Sequence, residues 1–143
     1  MPGAAFAAAI NCGSVDAGTV GCTTITYVPA ATMDEFVAAG KVITESRARL
    51  GRSRMGLAMR KGAVAPALSA AEDFRQAVAA ADAVVVNVAS SGNYVVKLIE
   101  KLGFSAEQKS IRQPDAVKVM DYVAASTKNL LGAGQLPEIR ELI

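Results

Sequence analysis

The sequence predicts an α/β domain with a three-layer αβα arrangement around a mostly parallel sheet. Short β-branched runs alternate with amphipathic segments about ten residues long, the pattern of strands joined by crossover helices. The run Val84–Val88 is apolar apart from Asn87, as suits a strand covered on both faces. Hydrophobic residues make up 52% of the chain and aromatics only 5%. The core is therefore built from Ala, Val, Leu and Ile, which suits helices packed on a Val-rich sheet. At 143 residues the chain is long enough for one ordinary domain with a sizeable core.

The elements follow in order. Residues 1–19 are Ala/Gly-rich and weakly patterned, and they read as a helical turn or two or as disorder. Val20–Val28 is β-branched and reads as a strand that Pro29 ends. Thr32-Met-Asp-Glu35 has the spacing of a capping box, and Gly40 stands where a helix stops. The four arginines at 47, 49, 52 and 54 read as a solvated connector. Arg54–Arg60 reads as a strand. Ser69-Ala-Ala-Glu72 is a second capping box, opening a helix with Phe74, Ala77, Val78 and Ala81 on one face.

After the Val84–Val88 strand comes a turn of small residues, Ala89 to Asn93, and a helix that stops at Gly103. Ser105–Gln108 suits a single helical turn, and Lys109–Gln113 suits a strand. Asp115 caps a helix with Val119, Met120 and Val123 inward. Asn129–Gln135 reads as a strand and exit loop, and a last helix starts with Pro137 at its first position.

Composition excludes several function classes. A net charge of +2 is too small to argue for nucleic acid. Cys12 and Cys22 match no zinc or redox spacing and read as free thiols, with a disulfide as the alternative in an oxidising compartment, and with no histidine to complete a site no metal or cofactor is expected. No apolar run approaches a membrane span, and the first ten residues lack the positive region of a secretory signal, so the residues alone are compatible with a cytoplasmic protein.

The candidate site is the turn after the Val-rich strand. The first amides of a helix have no partner within it, and the macrodipole leaves partial positive charge there. Ser90, Ser91, Gly92 and Asn93 stand at that point. The serine hydroxyls and the amides of Ser91, Gly92 and Asn93 suit an anion, and Gly92 allows close backbone approach. The ordinary alternative is a helix cap with no ligand. Asn87 reads as an outward-facing polar residue, Tyr94 as packing and Arg112 as a solvated charge on a strand edge. An enzyme would need a proton carrier, and Asp115, Asp121 and Glu138 show no pairing pattern.

Several segments recur together in one family. Met33–Val42, Arg54–Ala63, Leu68–Phe74, Ala89–Tyr94 with Leu98–Gly103, and Gly132–Ile139 stand in the order found in substrate-binding proteins of molybdate-type ABC transporters. The chain resembles that family over roughly residues 20–143. The resemblance implies a type II periplasmic-binding fold, in which two α/β lobes are joined by hinge strands. The hinge strands would lie near Arg54–Arg60 and Asn129–Gly134. Residues 20–53 would be a remnant of the first lobe and 54–135 a complete second lobe, with 136–143 starting a C-terminal helix.

It further implies a periplasmic solute-binding protein that holds a small anionic ligand and docks on an ABC permease, with no cofactor and no catalysis. The ligand would be a molybdate-like oxyanion or a small carboxylate, held by Ser90, Ser91, Gly92 and Asn93. Gln135 stands near the place where molybdate binders put a tyrosine, and its amide suits a carboxylate. Two serine-rich βα units of the family find no counterpart before residue 20, so the chain reads as shortened at both ends. A shortened lobe with open strand edges would pair with itself, which makes a homo-oligomer the expected state. The alternatives are a self-associating ligand-sensing module and an isomerase of small organic acids.

Overall fold

The computed structural model describes the backbone of residues 4–11 and 24–142, and side chains from Tyr27 to Leu142. Cys12 and Cys22 lie outside the described residues. The chain divides into two compact units that meet in sequence between Ser53 and Arg54.

The N-terminal unit is a three-stranded antiparallel sheet with one helix. Strand β1 (Ala4–Asn11) lies between β2 (Thr24–Pro29) and β3 (Ala48–Ser53). The strand at Ala4–Asn11 corrects the reading of residues 1–19 as helical or disordered. Alanine has little intrinsic preference for strands, and the polar–apolar alternation that marks them is missing here. Pairing on both edges decides the conformation instead.

Strand β3 corrects a second reading. Its arginines are solvated as expected, but the segment is an edge strand rather than a connector, and charges suit an edge. Phe6 pairs with Gly51 and Ala7 with Arg49, so Leu50 is an extra residue that bulges from β3.

Helix α1 (Ala30–Ala38) starts two residues before the Thr32 box, with Pro29 in the cap position and no side-chain cap. Pro29 is extended, with φ −53° and ψ 145°, which sets the chain up to enter a helix at the next residue. The stop at Gly40 is as expected. The Lys41 amide reaches the Phe36 carbonyl and the Gly40 amide that of Val37, with Gly40 at φ 64°. Met33 and Val42 are buried, with Val28, Phe36 and Val37 packed against them.

The C-terminal unit is α/β. Its four strands are ordered β4 (Met55–Ala58), β7 (Leu130–Gln135), β5 (Ala83–Asn87) and β6 (Ser110–Gln113). β5 runs parallel to both β6 and β7, and β4 runs antiparallel to β7. Five helices accompany the sheet: α2 (Ala71–Ala80), α3 (Ser90–Lys101), α4 (Ala106–Lys109), α5 (Ala116–Ala125) and α6 (Leu136–Leu142).

The period of two along β5 separates the layers. Val84 and Val86 face Phe74, Ala77 and Val78 of α2 and Val95 and Ile99 of α3. Ala83 and Val85 face Val119 and Val123 of α5. The sheet is therefore covered on both sides, which explains the apolar run from Ala83 to Val86. Gly132 of β7 keeps α5 close, since a Cβ there would lie 3.2 Å from Val123 and 3.4 Å from Met120 and Val119.

The helix ends are built from side chains the sequence marks. Asp115 Oδ1 accepts the Lys118 amide at 2.8 Å, as a cap should. At α2 the cap is shifted by one residue. Ala70 holds the cap position, and Asp73 rather than Glu72 reaches back, its Oδ2 accepting the Ser69 and Ala70 amides at 2.8 Å. Glu72 instead pairs with Arg75 on the exposed face, which holds its carboxyl below the usual range. Pro137 is the second residue of α6, since Leu136 already donates to the Arg54 carbonyl.

Ile99 has no exposed surface and Val117 is half exposed. Ile99→Ala is expected to cost about 2–5 kcal/mol, and Val117→Ala to stay within about 0.5 kcal/mol. Urea unfolding followed by circular dichroism measures both, and equal losses would contradict the packing described.

Candidate functional site

The carboxyl end of β5 is where the sheet divides. The connection from β5 leads into α3 on one face, and the connection from β6 leads into α5 on the other. β6 and β7 flank β5 on opposite sides, so the strand order reverses at β5. A crevice outside the carboxyl ends of the strands at such a reversal is the general ligand position in open α/β sheets.

Asn87 closes β5 and is buried. Its Oδ1 accepts from the Gly92 amide at 3.0 Å, the Ala89 amide at 3.2 Å and the Ser91 hydroxyl at 3.2 Å. Its Nδ2 lies 3.1 Å from Ser91 Oγ and donates to it. The carboxamide thus sits in the first turn of α3 and meets part of the helix's unpaired amides. A buried amide without such partners would cost about 2–7 kcal/mol. Sequence reasoning placed Asn87 facing outward, because polar residues at strand ends usually do. The Ser-Ser-Gly that follows it was the available signal for an inward turn.

Gly92 is fixed by the same contact. A Cβ there would overlap the Asn87 carbonyl oxygen and stand 2.8 Å from its Oδ1. The close approach that glycine permits is therefore used by the protein's own strand end. Ser91 and Gly92 are buried, while Ser90 and Asn93 are exposed. The Asn93 amide begins the helical ladder by donating to the Ala89 carbonyl at 3.0 Å.

Arg112 joins this group from the end of β6. Its Nη1 donates to the Asn87 carbonyl at 3.1 Å and its Nη2 to Asn93 Oδ1 at 2.7 Å. The reading as a solvated edge charge is half right: the side chain is exposed, but it bridges the end of β5 and the first turn of α3. Its register opposite Val86 puts it one residue short of the β5 end, a relation that only strand pairing reveals. Val88 continues the tie by donating its amide to the Gln113 carbonyl at 3.0 Å.

Gln135 ends β7 and is half-buried. Because β7 runs parallel to β5, Gln135 lies at the same edge of the sheet as the serine turn. The structure thus brings Ser90, Ser91, Gly92 and Asn93 into one turn and adds Asn87 and Arg112. Asp115, at the start of α5, is occupied by its cap.

A profile of the bacterial extracellular solute-binding protein family matches residues 24–136. The chain belongs to that family. The chain is also 34% identical over 67 residues to an aconitate isomerase from Pseudomonas sp., a match covering 47% of this chain and 26% of the relative. The chain thus spans about a quarter of the length of that curated relative. No solved structure matches it. Among the described residues no helix is long and apolar enough to cross a membrane.

Asn87→Ala would strand the Gly92 and Ala89 amides and the Ser91 hydroxyl. A stability loss of about 1–3 kcal/mol is expected from unsatisfied buried groups. Gly92→Ala should cost at least as much, because the backbone of β5 or α3 must shift. Denaturant titration of the two variants checks this, and wild-type midpoints would exclude the geometry given for the turn.

Proposed function

We propose that the chain binds a small anionic solute at the carboxyl edge of its α/β unit, without turning it over. The observation that carries this reading is the turn after β5, a helix start with an arginine laid across it. The ladder does not use the amides of Ser90 and Ser91, and the Ser90 hydroxyl and the Asn93 carboxamide are exposed beside them. Gln135 adds an amide from the neighbouring strand. The ligand class spans molybdate-like oxyanions and small carboxylates. The family supports the reading, and in it the chain works in the periplasm as the solute-carrying component of an ABC-type uptake system.

A thermal-shift series over molybdate, tungstate, sulfate, phosphate, citrate and aconitate tests the proposal. A ligand present at about 100 times its Kd adds about 2.7 kcal/mol of stability, enough to raise Tm by several degrees. Ser90→Leu, at an exposed position, should keep the fold and remove the shift. An unchanged shift in Ser90→Leu would move the site elsewhere.

A second reading is favoured by one observation, the name of the Pseudomonas relative. It makes the chain an isomerase of a small organic acid. Incubation with cis-aconitate, followed by chromatography for the trans isomer, separates the two. Binding without conversion is expected.

Self-association belongs to the same proposal. β4 sits at the edge of its sheet and carries no charge, and such a strand offers a free row of hydrogen-bonding groups. Light scattering is expected to show a dimer, and a monomer over the whole concentration range would remove this part of the reading.

A further inference from the structure

We draw no further inference here: the strongest candidate, the Glu138 carboxylate in the first turn of α6, whose buried Oε2 accepts no hydrogen bond, carries nothing because it stands on a short helix with no metal-ligating cluster among the described residues, and nothing in the structure shows what it would hold.

Discussion

One carboxamide joins the end of the central strand to the start of the helix that follows it. Asn87 collects two amides and a hydroxyl from the Ala89–Gly92 turn on a single oxygen, in a buried position. The rest of the edge is arranged around that contact. Residue 92 has to be glycine because the Asn87 carbonyl occupies the space of its side chain. Arg112 hangs from that same carbonyl. The direction of α3, and with it the way Val95 and Ile99 meet Val84 and Val86, follows from where the first turn is pinned.

Much of this was legible in the sequence, for identifiable reasons. The elements of the C-terminal unit could be read because local and tertiary signals agree there. Val84–Val86 are covered on both faces, Asp115 does cap its helix, and Gly103 ends α3 with a left-handed φ of 86°. The N-terminal strand could not be read, because the Ala-rich stretch Ala4–Asn11 carries no alternation and is held by neighbours on both sides. The starts of α1 and α2 slipped because the strongest capping pattern in the sequence was not the one that closes in space. Asp73 outcompetes Glu72, and Pro29 sets α1 before Thr32 can.

At the site, the turn itself was visible but its occupant was not. Ser90, Ser91, Gly92 and Asn93 do form the first turn of a helix on a strand end. That two of their donors turn inward to Asn87 depends on a side-chain rotation that spacing does not encode. That Arg112 reaches them depends on the register between β5 and β6, a relation over 25 residues of chain. The family match spans the boundary between the two units, from residue 24 to residue 136. The residues of the proposed site, by contrast, cluster in the C-terminal unit, where the sheet order reverses.

The bulge at Leu50 has a consequence for behaviour in concentrated solution. By adding one residue opposite Ala7, it resets the alternation of β3, so that Arg49 and Arg52 fall on one side of the strand despite their odd separation. Two like edges approaching each other would bring rows of guanidinium charge together. That repulsion reaches about 8 Å at physiological ionic strength and only about 3 Å in molar salt. The colloidal stability of this edge is thus set by the counterions around it, and a protein that stays dispersed in dilute buffer has reason to aggregate through β3 when salt is raised.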